Sequence, residues 1–204
     1  MIKDYGNGIV NTLAFVSYED SMEISAWIDT NIDNFLIYEF QNNPDRHAIR
    51  FGKDQIFWDT SPHDIRGVED IEKTCRPYFK KVTEHLKKLY NDDSDLFINS
   101  FWLAKQDAGG FVGPHHDSHS GMNPQFKYSV ICYLNANPTD GELEFVSLGF
   151  GIKPPAGSMV SFPSQGENLD HEVKAISQER YSMLFWVTDN PDYEVKWHSD
   201  ECPS

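Results

Sequence analysis

Phe126-Lys127-Tyr128-Ser129-Val130-Ile131-Cys132-Tyr133-Leu134-Asn135 is the stretch on which the reading of the fold turns. It is rich in β-branched and aromatic residues, and Asn137-Pro138 follows it as a turn signal, so it reads as a strand. Ser129, Ile131 and Tyr133 then share one face, because successive side chains of a strand alternate. The same texture recurs on both sides, at Leu96–Lys105, Leu143–Val146, Ser158–Phe162, His171–Ile176 and Arg180–Val187. Gly109-Gly110, Gly141, Pro154-Pro155-Ala156-Gly157 and Pro163 punctuate the runs. Short strands with frequent turns predict a barrel or a double-sheet jelly roll.

The first part of the chain reads differently. Ile9 to Val16 and Phe35 to Phe40 have strand character, with a turn at Asn42-Asn43-Pro44-Asp45. A helix is expected from Ser21, as N-cap, through Trp27 and Ile28. Val68 to Tyr90 is the longest helical stretch, with Val68, Ile71, Cys75, Phe79, Val82, Leu86 and Leu89 at spacings of three and four. Pro77 falls inside it and predicts a kink or two helices. The fold class is therefore mainly β with α. Residues 1–95 form a mixed, helical support packed on one sheet of a core at 96–190, all within one domain spanning 1–204. The segment after Asn190 reads as an extended end.

Composition narrows the function. Apolar residues at 39% and aromatics at 14% place the chain among globular and not disordered proteins. The 17 basic against 32 acidic residues give a net charge of −15, which repels phosphate backbones and anionic lipid, so neither nucleic acid nor membrane is an expected partner. No window has the length and apolarity of a membrane span, and the opening residues lack the apolar run of a signal peptide, so a soluble, cytoplasmic protein is expected. Cys75, Cys132 and Cys202 are widely spaced and odd in number, which supports neither a zinc knuckle nor a disulfide framework.

Chemistry concentrates at Gly113-Pro114-His115-His116-Asp117. In extended backbone His115 and Asp117 point the same way and can offer an imidazole and a carboxylate to one ion. His171, 54 residues beyond Asp117 at the start of an expected strand, can supply a third ligand. Two histidines and one carboxylate on one face suit iron(II) and oxygen chemistry, with zinc as second choice. His116 and His119 compete for the same role. Arg180 follows His171 by nine residues and shares a strand face with Ser182, Leu184 and Trp186. A guanidinium fork binds a carboxylate through two parallel hydrogen bonds, and Ser182 can add a donor. Tyr133 is either a further donor to that carboxylate or an ordinary core tyrosine.

Read together, His115-His116-Asp117, Tyr133-Leu134-Asn135, Gly141-Glu142-Leu143-Glu144-Phe145, Gly157-Ser158-Met159-Val160-Ser161-Phe162-Pro163, His171-Glu172-Val173 and Arg180-Tyr181-Ser182 resemble, in order and spacing, the core of the 2-oxoglutarate- and iron(II)-dependent oxygenases. The resemblance runs from Phe101 to Thr188 and is strongest to the prolyl 4-hydroxylase-like branch. It implies a double-stranded β-helix (a cupin-like jelly roll). It also implies a catalytic iron(II) on His115, Asp117 and His171, and 2-oxoglutarate held by Arg180, Tyr133 and Ser182. O2 is the second cosubstrate implied and ascorbate a candidate reductant. Lys105 and Gln106 stand where that family usually has a tyrosine, nine or ten residues before the first ligand. Lys105 can hold a carboxylate by charge or lie near the substrate.

The expected activity is hydroxylation of a peptidyl side chain, proline first. The alternatives are an oxygenase acting on a small molecule such as a free amino acid, and a non-enzymatic metal-binding jelly roll. Arg180-Tyr181-Ser182 argues against the last, since a structural metal site has no use for a keto-acid anchor. Ile131, Leu143, Leu184 and Trp186 are expected to line the pocket. Phe40–Arg66, loop-rich and carrying Phe57 and Trp58, is the expected substrate element.

Overall fold

The structure, a computed structural model, describes residues 1–32, 36–37, 46–51, 68–118, 122–135 and 139–195. In chain order the strands are β1 (Ile2–Asp4), β2 (Val10–Thr12), β3 (Leu36–Ile37), β4 (Arg46–Phe51), β5 (Phe97–Gln106), β6 (Val112–His115), β7 (Tyr128–Tyr133), β8 (Leu143–Phe145), β9 (Phe150–Ile152), β10 (Met159–Pro163), β11 (His171–Val173) and β12 (Arg180–Thr188). Helix α1 (Tyr18–Thr30) follows β2, and α2 (Val68–Tyr90) precedes β5. The strands form two antiparallel sheets, ordered β1-β2-β10-β7-β12-β5-β4-β3 and β6-β11-β8-β9. This is the double-sheet jelly roll expected from the strand texture, and the helices cover one face of the larger sheet.

The period-two alternation of β7 and β12 explains the layering. Val130 and Cys132 of β7, and Met183, Phe185 and Val187 of β12, point toward the helices. There they meet Ile24 and Ile28 of α1 and Ile71, Cys75, Val82 and Leu86 of α2, all fully buried. Each such side chain contributes roughly 1.5–3 kcal/mol by leaving water. Phe79 stands edge-on to both Phe101 and Phe185, with ring centroids at 5.2 and 5.7 Å. A second apolar cluster, including Val112, Leu143, Phe145, Val160, Phe162 and Val173, fills the space between the sheets.

Several expectations shift. The cap of α1 is Ser17, whose Oγ accepts from the Asp20 amide at 3.0 Å, while Ser21 is buried inside the helix. The first turn carries an exposed Tyr18 and two acids, so no apolar period marks the true start. Pro77 lies within one unbroken α2 and not between two helices. Ile71 and Cys75 before it and Val82 and Leu86 after it are buried in the same core. The strand expected over Ile9 to Val16 narrows to β2, and that at Phe35 to Phe40 is described only as β3. Within the region read as loop-rich, Arg46–Phe51 is a strand paired with β5. Phe57 and Trp58 lie outside the described residues. Among the described residues no helix is long and apolar enough to cross a membrane.

Candidate active site

His115 ends β6, an edge strand of the smaller sheet, where Pro114 is tolerated because no ladder partner needs its missing N–H. His171 opens β11 and is the direct cross-strand partner of His115. The pairing shifts between this position and Val173–Val112, so the bulge falls at Gly113-Pro114 and re-aims the His115 side chain. Asp117 follows in a bend two residues past β6. The metal-ligating atoms of His115, Asp117 and His171 all lie within 4.8 Å of one another.

The tautomers are set by the backbone. His115 Nδ1 lies 2.9 Å from the Gly113 carbonyl and His171 Nδ1 lies 3.0 Å from the Leu169 carbonyl. A carbonyl only accepts, so both Nδ1 atoms carry the proton and both Nε2 lone pairs are free for an ion. Those Nε2 atoms face Asp117, at 3.5 Å from Oδ1 for His115 and 3.8 Å from Oδ2 for His171. Burial by itself would raise the Asp117 pKa. The neighbouring His171 and His115, with a hydrogen bond from Ser129, outweigh it and hold the carboxyl below its usual range. Burial keeps His171 neutral by lowering its pKa, against the pull of Asp117. Phe162 stands edge-on to the His171 ring at 4.8 Å and fixes its plane. The donor set of two imidazoles and one ionised carboxylate fits iron(II).

A second group of polar atoms lines the same cavity, whose volume is about 500 Å³. Arg180 starts β12 opposite Gln106 of β5, and Ser182 lies opposite Tyr133 of β7. Arg180 Nη2 donates to Gln106 Oε1. Arg180 Nη1, Gln106 Nε2 and the Tyr133 hydroxyl are buried without a hydrogen-bond partner. Burial pushes the Tyr133 phenol up to about 12, although Arg180 pulls the other way, so it stays a donor at neutral pH. Buried donors without partners are costly, and a buried cation more so. A carboxylate entering beside Arg180 would satisfy all three. The residues present therefore fit the distal carboxylate of 2-oxoglutarate as well as the metal.

Ile131, Leu143, Leu184 and Trp186 line this cavity as expected. Trp102 and Phe126, not foreseen, extend the wall by packing on Trp186 at 4.8 and 5.8 Å. His116 lines the cavity but is not part of the ligand cluster, and His119 is outside the described residues. Lys105 is the clear correction. Its neighbour Gln106 faces the cavity, so Lys105 points to the helix side, where it pairs with Asp29 at 3.0 Å and Glu179 at 3.2 Å. Gln106 is the site residue that motif reading left without a role.

Residues 101–188 match the model of the 2OG-Fe(II) oxygenase superfamily. Over 72 residues, 32% of this chain, the sequence is 40% identical to prolyl 3-hydroxylase 2 of Gallus gallus. That match covers 10% of the relative, so the chain spans about a tenth of the curated relatives it matches. The Pseudomonas putida prolyl-4-hydroxylase superposes with a TM-score of 0.65 over 89% of this chain and 92% of that one, at 19% identity. A Trichoplax adhaerens prolyl hydroxylase, solved with a hypoxia inducible factor oxygen degradation domain peptide fragment, gives 0.66 over 90% and 84%, at 16% identity. At these identities the structural likeness establishes the fold alone. Residues 101–188, which carry the candidate site, thus match the 2OG-Fe(II) oxygenase superfamily and fold as the jelly roll seen in these solved prolyl hydroxylases.

Proposed function

We propose that this protein is an Fe(II)- and 2-oxoglutarate-dependent dioxygenase that hydroxylates a peptidyl side chain, with proline the first residue to test. One observation carries the reading: a cluster of metal-ligating atoms and a group of unpartnered buried donors line a single cavity. The bound iron, with 2-oxoglutarate and O2, supplies an oxidant that turns a substrate C–H into C–OH while succinate and carbon dioxide are released. The protein's own residues do the rest. His115, Asp117 and His171 would hold the metal through two imidazoles and one carboxylate. Arg180, Tyr133 and Ser182 would hold the distal carboxylate of the keto acid and so orient it in the cavity. Ile131, Leu143 and Leu184 keep bulk water away from the reacting carbon.

Two features support a peptidyl substrate. The curated relatives matched are prolyl 3-hydroxylases, and several of the similar solved structures are prolyl hydroxylases, one of them with a peptide bound. Among the described residues lining the cavity, Arg180 is the one arginine or lysine, and it is committed to the cosubstrate. The wall of Trp102, Phe126 and Trp186 suits an uncharged ring or aliphatic side chain. The net charge of −15 supports a substrate other than nucleic acid. The test is a turnover screen with iron(II), 2-oxoglutarate and ascorbate that follows succinate release. Proline-rich peptides, free amino acids and small acids are run side by side. We expect succinate and a gain of one oxygen atom on a peptide. Turnover with free amino acids alone would replace the peptidyl reading with the small-molecule one.

A further inference from the structure

We infer that Gln106 is a cosubstrate-positioning residue, orienting Arg180 with its amide oxygen and presenting its amide N–H to the distal carboxylate of the keto acid; this rests on the functional reading above. Gln106 ends β5, directly across from Arg180 in the β5–β12 pair, and is 3% exposed. An amide side chain offers one acceptor and one donor group. The acceptor is taken, since Oε1 receives the Arg180 Nη2 hydrogen. The donor is left over: Nε2 is buried and makes no hydrogen bond. Arg180 Nη1 and the Tyr133 hydroxyl are buried and unpartnered on the same cavity wall. A carboxylate has lone pairs enough for all of these donors, while no described side chain supplies an acceptor to them.

The position of Gln106 is secured from behind. Gly110 packs so closely that a Cβ there would lie 2.6 Å from Gln106 Cγ and 3.1 Å from its Nε2. The Gly110 amide is tied to the Asp107 carbonyl at 2.9 Å and its carbonyl accepts from the Ile176 amide at 3.1 Å. The turn after β5 is thus fixed against the glutamine. The amide can hardly swing away from the cavity without displacing that backbone. Lys105, one residue earlier, cannot substitute, because it faces the opposite side of the sheet.

The test compares two keto acids on Mn(II)-loaded protein without turnover, by calorimetry and by the fluorescence of the cavity tryptophans. 2-Oxoglutarate has the distal carboxylate and 2-oxobutyrate lacks it. Gln106→Leu should weaken 2-oxoglutarate roughly tenfold through loss of a charge-assisted hydrogen bond and of guanidinium orientation. It should leave Mn(II) and 2-oxobutyrate binding as in wild type. Gln106→Glu, nearly isosteric, should weaken 2-oxoglutarate more, by about 100-fold, because its carboxylate would occupy the Arg180 fork. Circular dichroism of each variant checks the fold. If both variants keep the wild-type preference for 2-oxoglutarate over 2-oxobutyrate, the inference is wrong. If both acids weaken together, Gln106 has only a packing role and the inference also fails. A wild-type protein that does not discriminate between the two acids would instead remove the Arg180 anchor, and the functional reading with it.

Discussion

His115 and His171 face each other across the β6–β11 pair with ring centroids 4.4 Å apart, and each donates its Nδ1–H to the carbonyl two residues before it. The shared arrangement leaves two Nε2 atoms aimed at Asp117. We expect one iron(II), or Mn(II) as a stable substitute, per chain. His115→Ala, Asp117→Ala and His171→Ala should each weaken it by more than the roughly 10- to 100-fold typical of changes behind a ligand. His116→Ala should leave it intact. Calorimetric titration decides; retention of metal by Asp117→Ala with loss in His116→Ala would exchange their roles.

Arg180 and Tyr133 should differ in weight. Arg180→Leu removes a buried bidentate partner, and we expect the 2-oxoglutarate requirement to rise by about 100-fold or more. Tyr133→Phe removes one hydroxyl donor and should raise it about five- to tenfold. Anaerobic titration of the iron(II) protein, followed at the visible charge-transfer band, reads both. Equal affinity in Arg180→Leu and wild type would take that residue out of the site.

Lys105 should matter to stability and not to the cosubstrate. Its side chain is 13% exposed, bridges Asp29 of α1 and Glu179, and lies 5.4 Å from the Tyr181 ring. Lys105→Met leaves those carboxylates and the Tyr181 hydroxyl without their cation, at a cost of about 1–3 kcal/mol. Urea denaturation should show that loss, while the 2-oxoglutarate dissociation constant stays at the wild-type value. A selective loss of 2-oxoglutarate binding would return Lys105 to the cavity.

Asp92 should govern part of the acid limb of stability. Burial would raise its pKa, but Lys127 at 2.8 Å, the Ser94 hydroxyl and amide, and the Tyr128 hydroxyl at 2.8 Å lower it well below the usual range. The folded pKa is thus depressed below the unfolded value of about 3.9. Its contribution is present in full above that value and is lost as pH falls through the folded one. Asp92→Asn should therefore be less stable near neutrality and should show a flatter decline in urea midpoint from about pH 5 toward about pH 2. Parallel curves for variant and wild type would mean that Asp92 does not couple to folding.

How far the sequence could be read depended on what each residue's signal was made of. β12 was legible because its alternation is chemically sharp: Arg180, Ser182, Leu184 and Trp186 line the cavity, and Tyr181, Met183, Phe185 and Val187 lie in the helix-side core. That His115 and His171 could serve one ion was legible, but their direct pairing was not, since nothing local announces which strands adjoin. Lys105 and Gln106 were illegible for the same reason. One residue of offset decides the face, and the register of β5 is set by β12 and not by its own sequence. β4 escaped notice because Arg46-His47-Ala48-Ile49-Arg50-Phe51 is half polar and sits beside turn residues. β9, three residues with a central glycine, carries almost no strand signal.

Along the β5–β12 pair the matching is one-to-one from Arg180–Gln106 to Trp186–Ser100, and the step that skips Asn99 comes only after it. Asn99 and Ser100 consequently both reach the cavity rim, and Asn99 is tied there to the Tyr193 carbonyl at 2.7 Å. Substitutions within this pair can accumulate one at a time, but a change of length cannot. Inserting or deleting a single residue between Arg180 and Trp186 would turn cavity-lining residues into the helix-facing layer and bring helix-side residues to the cavity. The parity of β12 is thus held from both faces at once, by the cavity on one side and the helix-side core on the other, and Asn99 marks the point beyond which an extra residue is absorbed.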